Sequence, residues 1–135
     1  MTQTATEPTL KQGSVLTLRG GMWKGGIATL SSERFYRQTK GYAIFNNTLG
    51  ALGAGINQFF PLRTDVDIPL TSITAIGRGK MGLLKDVLYI GTADGKSYTF
   101  RTAEYQLWVA ALTEALQTYR KATVVQSGDE RWSVQ

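Results

Sequence analysis

The chain has 135 residues, 42% hydrophobic and 19% charged, with a formal net charge of +5, which suits one globular domain with a core. It contains no cysteine and no histidine, which excludes disulfides, thiolate nucleophiles, the usual zinc ligands and an imidazole general base. We therefore expect a non-enzymatic protein without a cofactor. A cytoplasmic location is expected because small secreted domains usually carry disulfides.

The positive charge is concentrated between residues 11 and 101, where basic side chains outnumber acidic ones. Such a surface favours anionic partners, which could be phospholipid headgroups, an acidic protein or nucleic acid, or it serves solubility alone. No apolar run is long enough to predict a transmembrane helix, and the polar first residues do not resemble a signal peptide.

Residues 1–13 are rich in Thr and Gln and predict a flexible arm before a domain at 14–121. About seven short strands are predicted from runs of β-branched and aromatic residues separated by turn residues. They lie at 15–18 (extending as far as 23), 27–30, 34–37, 66–70, 72–76, 87–92 and 96–101.

The dipeptide Asp94-Gly95 joins the last two strands and predicts a hairpin with a type I′ turn. A helix then begins near Ala103, with Thr102 as its N-cap, and ends near Ala122. It carries one apolar stripe at helical spacing, which predicts core packing. The stripe comprises Trp108, Ala111, Leu112, Ala115, Leu116 and Tyr119. Residues 122–135 lack periodicity and are predicted to be a tail.

These elements predict a mainly β fold plugged by one C-terminal helix. From residue 68 onwards the chain presents, in order, Ile68-Pro69-Leu70, Ile73, Ile76, Leu88, Ile90, Asp94-Gly95-Lys96, Tyr98, Phe100, Trp108 and Leu112. This order resembles the pleckstrin-homology-like (PH-like) superfold, within it the GRAM and bacterial PH-like branch. The resemblance covers roughly residues 14–121.

The resemblance implies a barrel of about seven antiparallel strands in two near-orthogonal sheets, capped by the C-terminal helix. It also implies a non-enzymatic module that binds phosphoinositides or other anionic lipids, or else peptides and protein surfaces. Lipid-binding members carry basic residues on the first strands. Here Lys24 and Arg37 are the candidates, and Arg34 and Arg37, three apart in a strand, should point to opposite faces.

A second candidate site is the basic and apolar loop that follows the fifth strand. Its cations would meet lipid headgroups while its apolar side chains reach the acyl boundary. The candidate residues are Arg78, Lys80, Met81, Leu83 and Lys85. In the alternative interpretation, Leu83 and Leu84 begin the next strand and pack inside.

A third candidate is the charge-free segment 42–60, which is longer than an ordinary loop. It could insert into a membrane, dock a partner, cover the open flank of the barrel or mediate homo-oligomerisation through its small residues. The candidate interface residues are Tyr42, Ile44, Phe45, Leu49, Leu52, Ile56, Phe59 and Phe60.

Asp65 and Asp67 are predicted to share one strand face, as a weak cation site or as solvated edge charges. The leading hypothesis is a cytoplasmic PH/GRAM-like module that contacts an anionic membrane, peripherally at its inner face, or a protein partner. The alternative is a protein-interaction or homo-oligomerisation module without lipid binding. Nucleic acid ranks last, because no RNA-recognition motif is present.

Overall fold

The computed structural model describes residues 7–19, 22–39 and 63–135. Within these residues the fold is, as predicted, mainly β, and one α-helix follows most of the strands. The strands are β1 (Thr9–Arg19), β2 (Met22–Ser31), β3 (Arg34–Thr39), β4 (Arg63–Pro69), β5 (Ile73–Arg78), β6 (Val87–Thr92), β7 (Ser97–Arg101), β8 (Val124–Gly128) and β9 (Arg131–Val134), and the helix is α1 (Tyr105–Thr118). The candidate interface at 42–60 lies outside the described residues.

All nine strands belong to one antiparallel sheet, in the order β4-β3-β2-β1-β7-β6-β5-β9-β8. The two halves of the sheet meet where β1 pairs with β7, at Leu16 and Arg101. Strands β4 and β8 form the two ends, so the described strands do not close into a ring. The observed sheet thus differs from the predicted barrel of about seven strands in two sheets.

The extra strands come from the segment predicted to be a tail. Residues 124–134 form the hairpin β8–β9, and β9 pairs with β5 through Ala75 and Ser133. In the first part of the chain, β1 begins at Thr9, within the segment predicted to be a flexible arm. Both differences arise because backbone pairing with a neighbouring strand orders segments that have no clear periodicity of their own.

The core lies between the sheet and α1. Trp108 is fully buried, and its ring contacts Phe35 edge-on at 5.5 Å between centroids. The helix buries Leu112, Ala115 and Leu116 as the predicted stripe requires, whereas Tyr119 at its end is exposed. Trp108 and its stripe therefore belong to the scaffold that positions the loops.

The hairpin β6–β7 is present, but its turn is not type I′. Only Gly95 has a positive φ, of 86°, and Asp94 does not. The Thr92 N–H donates to the Lys96 carbonyl at 3.0 Å, which defines a three-residue loop with a left-handed glycine at its last position. The Asp94 carboxylate instead accepts hydrogen bonds from the Thr92 hydroxyl and the Lys96 N–H.

Candidate functional site

A β-bulge in β4 turns the Asp65 side chain toward the buried Arg37. Arg37 pairs with Val66 and Gln38 pairs with Thr64, so that Asp65 is the extra residue between them. A bulge reverses the face onto which the following side chains point. Asp65 consequently binds Arg37 on the inner face, whereas Asp67 binds Arg34 on the outer face. The prediction that the two aspartates share one face is therefore wrong.

Arg37 is the inward partner of Asp65. Its side chain is 1% exposed, its Nε donates to Asp65 Oδ1 at 3.1 Å, and its Nη2 donates to Oδ2. Gly26 makes room for it, since a Cβ there would lie 3.1 Å from Arg37 Cδ. On the opposite face, Arg34 donates to Asp67 Oδ2 at 3.0 Å, as the alternation of the strand predicts.

Lys24 approaches the same carboxylate, with its Nζ 3.6 Å from Asp65 Oδ2. The structure therefore brings together the two candidate residues of the first strands, Lys24 and Arg37, around Asp65. Burial raises the pKa of Asp65, but the hydrogen bond and charge of Arg37, aided by the charge of Lys24, leave that pKa below its usual value. The carboxylate is ionised at neutral pH.

A cavity of about 310 Å³ adjoins this cluster between β1, β3, β4 and β7. It is lined by Thr17, Leu18, Arg37, Asp65, Val66, Ser97, Tyr98, Thr99 and Phe100. Two buried lining atoms, Arg37 Nη1 and Thr17 Oγ1, have no hydrogen-bond partner among the residues that the structure describes. A guanidinium N–H and a hydroxyl are groups that can bind an anion or another acceptor.

The loop between β5 and β6 begins at Gly79, which lies against the outer face of the sheet, the face that points away from α1. The Gly79 N–H donates to the Val87 carbonyl at 2.8 Å, and a Cβ at Gly79 would come within 2.9 Å of both Val87 and Thr99 side chains. Only glycine allows this close approach. The chain then continues into a tight turn from Met81 to Leu84.

Leu83 lies at the tip of that turn and is 98% exposed. Met81 and Leu84 form an isolated antiparallel bridge, with the Leu84 N–H donating to the Met81 carbonyl at 3.1 Å. Gly82 supplies the left-handed conformation, with φ of 61°. Leu83 is therefore displayed to solvent and does not begin β6, contrary to the alternative interpretation. Lys80 and Lys85 flank the turn and are also exposed.

Arg78 is in a different environment from the two lysines. Its guanidinium stacks on Tyr105 at 4.6 Å, donates to the Lys85 carbonyl at 2.7 Å and lies 3.6 Å from Glu130. The Tyr105 hydroxyl donates to Glu130 Oε1 at 2.8 Å. Burial and the Glu130 carboxylate together raise the pKa of Tyr105 to about 12. These contacts tie Arg78 to α1 and to the β8–β9 turn.

An exposed apolar patch on the outer face of β1 and β2 was not predicted. Leu18 pairs directly with Trp23, and the two side chains are 46% and 44% exposed. Leu16 and Ile27 extend the patch on the same face. The Arg101 guanidinium lies 5.7 Å from the Trp23 ring at its border. Leu16 and Leu18 alternate with Val15 and Thr17, so both faces of β1 are partly apolar and the outward face is not obvious from the sequence.

No group of three or more acidic side chains in the described part of the chain is arranged to hold a metal ion. No helix that the structure describes has the length and apolar character needed to cross a membrane.

No protein-family model matches the chain, and neither does any curated protein. Among solved structures, it is similar to the C-terminal domain of an unknown protein from Leishmania infantum, at 15% identity and a TM-score of 0.54, covering 84% of this chain and 88% of that one. It is also similar to the DH/PH domains of p115-RhoGEF, at 10% identity and a TM-score of 0.54. That match covers 87% of this chain and 33% of the p115-RhoGEF chain. The fold of the chain is therefore PH-like.

Proposed function

We propose that the chain is a PH-type binding module that attaches peripherally to anionic membranes through its outer face. The observation that carries this proposal is Leu83, 98% exposed on a tight turn between the exposed Lys80 and Lys85. An apolar tip flanked by cations suits the boundary between lipid headgroups and acyl chains. The order of its sequence motifs favours the GRAM and bacterial PH-like branch.

The apolar patch of β1 and β2 lies on the same side of the sheet as this loop. Leu16 pairs with Arg101, and Arg101 pairs with Val87, to which Gly79 is hydrogen-bonded. Directly paired residues point to the same face of a sheet. A Cβ at Gly79 would contact the Val87 and Thr99 side chains of that face, so the loop that carries Leu83 starts against the face that also carries Trp23. We propose that this face presents both to a bilayer.

The expected attachment is weak and reversible. Burying one leucine side chain contributes about 2 kcal/mol. A cation near an anionic leaflet contributes on the order of 1 kcal/mol. Lys80, Leu83 and Lys85 together therefore support transient binding that salt weakens.

Vesicle flotation tests this proposal with phosphatidylcholine vesicles, with and without phosphatidylserine. We expect binding only to the anionic vesicles, and less of it at high salt. Leu83→Ser and the double variant Lys80→Gln/Lys85→Gln should each lower the bound fraction. Leu107→Ser is the matched control, because Leu107 is 57% exposed on α1. Absence of binding to anionic vesicles at low salt would rule the proposal out.

A second candidate function is recognition of one phosphorylated headgroup in the cavity beside Arg37. It is favoured by Arg37 Nη1 and Thr17 Oγ1, which have no hydrogen-bond partner within the described part of the chain. A soluble inositol phosphate titrated by calorimetry is the direct test. Thr17→Val removes the hydroxyl with little change in shape and should weaken this binding without affecting flotation on phosphatidylserine. Equal affinity of the wild type and Thr17→Val for the inositol phosphate would contradict headgroup recognition in the cavity.

A further inference from the structure

Arg78, the last residue of β5, spans the base of the loop that carries Leu83. Its guanidinium Nη1 donates to the Lys85 carbonyl at 2.7 Å, so one side chain joins the beginning of the loop to its end. A second bond at the base runs from the Gly79 N–H to the Val87 carbonyl, at 2.8 Å. The turn at Leu83 is therefore carried between two stretches of chain that are fixed to each other.

The guanidinium of Arg78 is itself held by side chains from two other elements. It lies 4.6 Å from the ring of Tyr105, the first residue of α1. Its Nη2 lies 3.6 Å from Oε1 of Glu130, in the turn between β8 and β9. The Tyr105 hydroxyl donates to that same oxygen at 2.8 Å. These three side chains, Arg78, Tyr105 and Glu130, are called the Arg78 cluster below, and each of them contacts the other two.

The backbone of the β8–β9 turn also indicates that the Glu130 carboxylate matters. Glu130 has a φ of 53°, a left-handed conformation that is uncommon for glutamate. Its carbonyl accepts a hydrogen bond from the Arg78 N–H at 2.9 Å, and a Cβ at Gly77 would collide with that oxygen. Glycine at position 130 would adopt this conformation without strain, but it would lack the carboxylate. An outlier of this kind motivates a functional hypothesis for its side chain.

The contacts of Arg78 depend on the shape of its guanidinium as well as on its charge. A planar guanidinium can stack on a ring and donate several hydrogen bonds at once, whereas the ammonium of lysine cannot. Its charge also lies close to the Glu130 carboxylate. Lys80 and Lys85, by contrast, are exposed to solvent. The geometry therefore separates the role of Arg78 from that of the two lysines.

We propose that Arg78 is the positioning residue of the membrane-binding turn: it holds Leu83 in one orientation and couples that orientation to α1 and to the β8–β9 turn. The functional part of this inference rests on the proposed membrane attachment. The positioning itself can be measured without a membrane. Loss of a member of the Arg78 cluster should loosen the loop, because the contacts that join its two ends are then incomplete.

Limited proteolysis with a lysine-specific endoprotease tests the positioning. Lys80 and Lys85 lie in the loop, and Lys96 in the β6–β7 turn is an exposed internal reference. We expect Arg78→Ala and Glu130→Asn to raise cleavage at the loop lysines several-fold relative to Lys96, as measured by mass spectrometry, because local opening exposes a segment to protease. An unchanged ratio, or equal acceleration at all three lysines, would overturn the proposal. Glu130→Asn keeps the test independent of whether Arg78→Ala folds, since asparagine tolerates the left-handed conformation.

Vesicle flotation separates positioning from direct lipid contact by Arg78. Glu130→Asn removes a negative charge, so direct contact predicts stronger binding to phosphatidylserine vesicles, whereas positioning predicts weaker binding. Asp129→Asn is the matched control, because it makes the same charge change at the exposed neighbouring residue. It should not weaken binding. Binding of Glu130→Asn at or above the level of Asp129→Asn would overturn the proposal.

Arg78→Lys provides a further test, because it keeps the charge and loses the planar donor. We expect this variant to lower the bound fraction. Binding at the wild-type level would assign Arg78 to direct lipid contact and overturn the positioning role. If the wild type itself does not bind anionic vesicles, the proposed attachment fails, and the proteolysis ratio still decides whether Arg78 positions the turn.

Discussion

Two groups of cations in this protein have opposite environments. Lys24 and Arg37 converge on Asp65 beside the core, whereas Lys80 and Lys85 flank an exposed turn. Both groups were candidate lipid contacts in the sequence. The difference shows that the partner and the burial of a basic residue matter as much as its charge: Lys24 and Arg37 are paired with a carboxylate, whereas Lys80 and Lys85 are exposed to solvent.

Removing Asp65 should have the largest effect. Asp65→Ala leaves the guanidinium of Arg37 buried without its carboxylate, and breaking a buried ion pair typically costs 3–5 kcal/mol. We expect a loss of about 3 kcal/mol in the free energy of unfolding, at the low end of that range because Asp65 is 20% exposed. Urea denaturation measures the change.

Asp67→Ala is the matched control for that experiment. Asp67 is on the same strand and also binds an arginine, but both partners are more than 40% exposed. Exposed ion pairs contribute about 0–1 kcal/mol. Similar losses for the two variants would show that the bulge does not separate an interior pair from a surface pair.

Gly26→Ala should have the next largest effect on the interior group. A Cβ at this position would lie 2.9 Å from the Gln38 carbonyl oxygen and 3.1 Å from Arg37 Cδ. Overpacking of this kind costs about 1–3 kcal/mol. At the adjacent Gly25, a Cβ would only touch Leu16 at 3.4 Å, so Gly25→Ala should be nearly neutral in thermal unfolding. Equal shifts in Tm would contradict the assignment of Gly26 to the space of Arg37.

Acid should weaken the interior group selectively. The folded-state pKa of Asp65 lies below its usual value, so its stabilisation is complete above the unfolded pKa of about 4 and is lost as pH falls through the folded pKa. Unfolding followed by fluorescence at a series of acid pH values should show this loss. The loss should be smaller in Asp65→Asn, which has no carboxyl to protonate. If the wild type and Asp65→Asn lost the same stability in acid, Asp65 would not be the group responsible.

The exposed group should affect stability least. The double variant Lys80→Gln/Lys85→Gln should unfold within about 0.5 kcal/mol of the wild type, as is usual for surface substitutions. This double variant should differ from the wild type only by binding fewer vesicles. A clear drop in the urea midpoint would mean that these lysines support the fold as Arg37 does.

Much of the fold can be read from periodicity. The stripe of α1, most strand positions and the PH-like order were predicted. Their signals are local, because side-chain spacing reports which face of an element is buried. The apolar loop residue Leu83 was also identified as a candidate, although its display on a turn was only one of two interpretations.

The missed features depend on pairing between distant segments. The bulge at Asp65 results from the register between β3 and β4, and no local pattern in 63–69 indicates it. The hairpin β8–β9 has weak periodicity in its sequence, and the pairing of β9 with β5 fixes its position in the sheet. Asp94-Gly95 suggested a type I′ turn, but hydrogen bonds to the Asp94 side chain favour the longer loop.

The position of α1 in the chain has a consequence for folding order. The helix is joined on one side to β7 and on the other to β8–β9, and both lie in the same sheet. Pairing of Ala75 with Ser133 closes a long loop, and such contacts form late. Once β9 has paired with β5, we expect that α1 separates from the sheet only if β9 separates from β5 as well. Amide hydrogens of α1 and β9 should therefore exchange together, as one cooperative unit.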